Sequence, residues 1–225
     1  MKAACKTADR RRFYMDQRQE LMPQKNDVDG KPRRLMHRRS VECEGYLRGD
    51  GLWEVEARLV DTKPFTQRAP FRGELQPGDP VHDIAVRLAV DDTLTIREAE
   101  TTMRATPFPT CTEVEPVLQR LVGERIGPGW RELVRRKIGR LETCTHLSEL
   151  LGPAVTTLYQ TMSYGKTPDG RSSLEDQRGT SEPPFYLGGC HSWRTDGPVV
   201  AELFPQFATK RSAADERGQS LVRRN

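Results

Sequence analysis

Residues 41–59 read VECEGYLRGDGLWEVEARL, and the fold is decided there. Val41, Cys43 and Leu47 alternate with Glu42, Glu44 and Arg48, a period of two that puts apolar and charged side chains on opposite faces of a strand. Arg48-Gly49-Asp50-Gly51 has the composition of a hairpin turn. Trp53, Val55, Ala57 and Leu59 then resume the alternation against Glu54, Glu56 and Arg58, so the stretch predicts a hairpin with one buried face.

Working outward, a Pro- and Gly-rich connection from Pro64 to Pro80 leads to Ile84, Val86, Leu88 and Val90, again at period two. Asp91-Asp92 supplies a turn, and Leu94 and Ile96 open a fourth strand. The period then changes to 3.6. Val114, Val117, Leu118, Leu121 and Val122 form one helical stripe, with Pro116 in its first turn; Trp130, Leu133, Val134 and Ile138 form a second. The third and longest is Leu147, Leu150, Leu151, Ala154, Val155, Leu158 and Met162, where Pro153 is expected to kink or divide the helix. Strands first and helices afterwards predict an α+β domain, an antiparallel β-meander of about four strands packed under three or more helices.

The 225 residues hold 36 Lys+Arg against 32 Asp+Glu, a net charge of +4, which suits a single domain with polar extensions and points to no nucleic-acid partner. The expected organisation is one domain over 31–207, a long exposed loop over 165–184, and mobile tails at 1–30 and 208–225, where apolar periodicity is lacking. No run approaches the roughly 18 apolar residues of a spanning helix, and the first residues carry charge where a secretory signal needs an apolar core. The expectation is a cytoplasmic protein with no membrane partner. Cys5, Cys43, Cys111, Cys144 and Cys190 are odd in number and widely spaced, which argues against structural disulfides.

Reactive side chains concentrate at element ends: His82 and Asp83 at a strand start, Cys111 before the first helix, Cys144 and His146 at the start of the third. Cys and His at a strand start and two helix N-termini can converge on one sheet edge, hold Zn or Fe, and be polarised by the helix ends. Each also has a bland reading. Cys144 and His146 fit a buried thiol and a capping imidazole equally well, His82 has the parity of the core residues Ile84 and Val86, and Asp83 points to the other face unless a bulge intervenes. Cys190-His191 sits in a Gly-rich loop and reads first as structural, while Arg33-Arg34 and Arg38-Arg39 around His37 read as a solvated basic edge.

The runs LMHRRSVECEGYLRGDGLWEVEARLVDTKPF, PVHDIAVRLAVDDTLTIREAETTM, LVGERIGPGWRELVRRKIG and CTHLSELLGPAVTTLYQT resemble an uncharacterised bacterial family known as a domain of unknown function. That resemblance implies a setting in aromatic or other small-molecule metabolism. From Pro80 to Met162 the order of features is also similar to the NifU-like iron–sulfur scaffold domain. On that resemblance His82 stands near the first scaffold cysteine and Asp83 near its Asp, while Cys111 and Cys144 fall at the second and third cysteines. It implies a shared metal site of His82, Asp83, Cys111 and Cys144; two thiolates suit a mononuclear Zn or Fe ion better than a cluster.

Three functions follow as expectations. The first is a metal-dependent enzyme (Zn or Fe) acting on a small organic substrate, with the four ligands just named and with His146 and Asp83 as catalytic groups. The second is an iron–sulfur cluster or persulfide carrier serving a partner enzyme, with Cys144 as acceptor. The third is a metal-free binding module whose cysteines are core residues and whose Arg-rich first strand meets an acidic partner. A homodimer is a separate candidate association.

Overall fold

In the computed structural model the described residues are 31, 33–139, 141–164, 179, 181–184 and 186–210. The expected N-terminal tail, most of the 165–184 loop, and the C-terminal tail beyond 210 lie outside them. The chain is α+β. Strands β1 (Arg38–Leu47), β2 (Trp53–Thr62), β5 (Pro80–Val90) and β6 (Ile96–Ala105) form an antiparallel sheet in the order β1-β2-β5-β6. That order is the expected meander. The Pro- and Gly-rich connection between β2 and β5 carries a small hairpin of its own, β3 (Gln67–Ala69) and β4 (Gly73–Leu75), which its composition did not announce.

The buried face follows from the alternation. Trp53, Val55, Ala57 and Leu59 of β2 and Ile84, Val86, Leu88 and Val90 of β5 are all almost fully buried. Helix α1 (Trp130–Lys137) and helix α2 (Thr145–Tyr164) follow, and α2 lies against β2, β1 and β5. It covers this face with Leu147, Leu150, Leu151, Ala154, Val155 and Leu158. Each such Leu contributes about 1.5–3 kcal/mol of apolar burial. A short helix α3 (Pro198–Leu203) and a 3-10 turn (Pro205–Phe207) follow, near a cluster of the Tyr186, Trp193 and Phe204 rings. No helix among the described residues is long and apolar enough to cross a membrane.

Three local readings differ from expectation. The first helical stripe, Pro109–Leu121, is a succession of 3-10 turns rather than an α-helix. Pro109 and Pro116 each lack the N–H that an i→i−4 ladder needs, and Val117, Leu118 and Leu121 are still buried against β6. Pro153 neither divides nor ends α2. Pro153 and Glu149, whose carbonyl loses its partner there, are both exposed, so water can satisfy that group. Finally, β6 starts at Ile96 because Leu94 takes φ 65° in the Asp91 turn, where Asp91 Oδ1 accepts the Thr93 and Thr95 N–H groups.

Candidate metal centre

At one end of the sheet three strands place polar residues on a single rung. Arg39 of β1 lies opposite Asp61 of β2, and Asp61 lies opposite His82 of β5. Asp61 and His82 keep the parity of the apolar residues beside them, so they face α2. The first turn of α2 adds His146 from above, and His37 arrives from the segment before β1.

The hub is Asp61, 1% exposed. Its Oδ1 accepts hydrogen bonds from Arg39 Nε at 2.8 Å and pairs with His37 Nε2 at 2.9 Å. Its Oδ2 accepts Arg39 Nη2 at 2.8 Å and lies 3.1 Å from His82 Nδ1 and 3.5 Å from His146 Nε2. Arg39 is itself held by Glu149 Oε2 of α2 at 2.8 Å. Thus 3 of the chain's 4 histidines surround one carboxylate.

Electrostatics fix the protonation states. Burial alone would raise the Asp61 pKa, but hydrogen bonds from Arg39 and His37 outweigh it and bring the carboxyl down to about 2. Burial lowers the pKa of His82, and the nearby His146 adds to the effect. His146 is lowered by burial first and by the Arg39 charge second. The pair is therefore neutral at neutral pH, each ring keeping a lone pair. The rings stack at 3.9 Å between centroids. His82 Nδ1 is buried without a hydrogen bond, since its approach to Asp61 is misaligned.

Those distances suit an ion. Two donors at about 2.0–2.2 Å from one metal, subtending 90–110°, stand roughly 3.0–3.5 Å apart. Asp61, His82 and His146 offer one ligand atom each within 4.8 Å of one another, and no other group of three does so among the described residues. Two imidazoles and a carboxylate on one side of an ion form the facial set that leaves coordination positions open. The His82 and His146 side chains are 16% and 25% exposed, so those positions can be reached from solvent.

Of the residues singled out from sequence, His82 and His146 are brought together. Asp83 is not: it faces the open side of the sheet, where Arg58 Nε and Nη2 bind its two oxygens at 2.8 Å, and Arg58 holds its carboxyl below the usual range. Cys144 caps α2, its sulfur accepting the Leu147 N–H at 3.3 Å, and burial pushes its thiol pKa up, with Cys111 acting in the same direction. Cys111 and Cys144 both pack on the core, and no cysteine belongs to the three-ligand group. Cys190 is exposed and His191 contacts Arg194. The basic edge is not merely solvated, because Arg39 is the principal partner of Asp61.

The sequence reading passes over Asp61 and takes Arg39 and His37 for a solvated basic edge. A signal was present: Asp61 continues the core-facing parity of Trp53, Val55, Ala57 and Leu59, where an acid must find partners. A broad cleft between α1 and α2, about 1120 Å³, does not include the three ligands, although Glu149 is on its lining.

Fold and site define an α+β protein with an acid–imidazole cluster at one end of its sheet. The chain belongs to the family described as protein of unknown function (DUF2889), which matches residues 37–160, a span holding every residue of the cluster. No curated protein and no solved structure matches the chain.

Proposed function

We propose that this chain is a metal-dependent enzyme that binds an iron or zinc ion through Asp61, His82 and His146 and acts on a small organic substrate. The observation that carries the reading is the buried, unbonded His82 Nδ1 beside an ionised carboxylate oxygen and a second neutral imidazole, at ligand spacing. A bound ion in an open site supplies Lewis acidity or an activated water at neutral pH. Arg39 spans both Asp61 oxygens and His37 pairs with Oδ1, and together they orient the carboxylate. The metabolic setting implied by the family resemblance, aromatic or other small-molecule metabolism, belongs to this reading.

The carrier reading, and with it a NifU-like assignment, draws less support. It needs a thiolate acceptor at Cys144, whose thiol is held protonated by burial and whose sulfur is used in a helix cap. Elemental analysis of the purified protein tests the enzyme reading. About one iron or zinc per chain is expected, falling to background in His82→Ala and His146→Ala variants that keep the wild-type circular dichroism. No stoichiometric metal in the wild type, or unchanged metal in both variants, would sink it.

A further inference from the structure

We propose that β1 pairs with β1 of a second copy of this chain, antiparallel and centred on Val41, joining the two sheets edge to edge. β1 stands last in the order β1-β2-β5-β6, so β2 uses one side of its backbone and the other side is a free edge among the described residues. The strand is 10 residues long and exposed along nearly its whole length. Long flat edges are normally shortened, bulged or covered, because their unpaired N–H and C=O groups recruit other strands. Here the edge is also where apolar surface collects. Of the nine large hydrophobics that stand exposed among the described residues, Val41, Tyr46 and Leu47 are on β1, and Leu35 and Met36 are in the segment just before it.

Register identifies the partner. When a strand pairs antiparallel with its own copy, the pair is two-fold symmetric, and residues equally far before and after the centre face each other. Centring on Val41 sets Arg38 against Glu44, Ser40 against Glu42, Met36 against Tyr46, and Leu35 against Leu47. Every such pair shares one face, as the period of two requires. Centring on Glu42 sets that acid against itself, and centring on Cys43 sets Glu42 against Glu44. Centring on Ser40 again gives Arg38 an acid, Glu42, but sets Met36 against Glu44, so only the Val41 centre satisfies the charges and the apolar residues together. Among the described residues Arg38 has no ion-pair partner within its own chain, and Glu44 is bound only by the exposed Tyr46 hydroxyl at 2.6 Å. Pairing would also pin the strand that carries Arg39, the residue that holds Asp61.

The test is the association state of the full chain by sedimentation equilibrium over a range of concentrations. The wild type is expected to dimerise. Arg38→Glu or Glu44→Arg alone, each setting like charges opposite one another twice per dimer, should weaken association by about tenfold. The double variant, which restores opposite charges with their positions exchanged, should recover it. A wild type that stays monomeric at about 100 μM overturns the proposal. So does a dimer indifferent to the single changes, or a double variant no better than the singles. Neither residue belongs to the metal set, so metal content measured on the same samples separates failure of this inference from failure of the proposed function.

Discussion

Asp61 carries the most consequence for one residue. Removing its charge but not its shape in Asp61→Asn is expected to abolish metal retention. It should also cost roughly 1–3 kcal/mol, because Arg39 loses its principal acceptor at a buried site. Urea denaturation of the metal-stripped proteins measures that loss, and an Asp61→Asn protein as stable as wild type would contradict the hub role. At this scale His82 and His146 were legible, since an imidazole at a strand start and another in a first helical turn announce themselves. Asp61 was legible only in principle, through its parity with Trp53 to Leu59. The cysteines drew attention by residue type, whereas the burial that keeps Cys144 protonated and its use as a cap belong to the surroundings the folded chain creates. Asp83 lies next to His82 in sequence but on the other face, which the pleat alone dictates.

Between elements, α2 comes close to β1 at Gly45. A Cβ on Gly45 would come within 1.7 Å of Thr161 Oγ1 and 2.8 Å of Thr161 Cβ. Gly45→Ala should therefore cost about 1–3 kcal/mol by overpacking, with partial recovery when Thr161→Ala is added. Thermal or urea unfolding of the single and double variants decides it; equal stability of Gly45→Ala and wild type would show that the helix is not seated as described. Leu150→Ala, emptying a site 1% exposed under the sheet, should cost about 2–5 kcal/mol by the same assay. The strands were legible because alternation over ten residues survives tertiary packing. The 3-10 character of Pro109–Leu121 was not, since a stripe of Val117, Leu118 and Leu121 fits either helix and only the missing proline donors choose between them. The β3–β4 hairpin is three residues per strand, too short for a period to show.

Across the whole molecule the sheet has two unlike faces. One is the apolar floor under α2; the other is a lattice of ion pairs in which Arg48 and Arg87 bridge Glu54 and Glu98, with Glu100 at its border. Hydrogen bonds from Arg48, then from Arg87, hold the Glu98 carboxyl at about 2, against an ordinary value of 4.5. A pKa depressed by folding means that this group stabilises the fold above its unfolded value and loses that contribution as pH falls from about 4.5 towards 2. Glu98→Gln should accordingly flatten the stability profile over that window and leave its slope near neutrality unchanged, read by denaturant titrations at several pH values. An unchanged acid limb would mean that the lattice is not formed in solution. The fold class was thus open to reading from period alone, while the site depended on which rungs of three strands fall side by side, a relation fixed by register and invisible in any one segment.

In the proposed function imidazole and carboxylate, not sulfur, hold the ion. X-ray absorption at the metal edge of the purified protein tests it most directly. The account predicts only nitrogen and oxygen scatterers in the first shell, at about 2.0–2.2 Å, with a spectrum unchanged in a Cys111→Ala, Cys144→Ala double variant. A sulfur shell near 2.3 Å in the wild type, lost in that double variant, would contradict it.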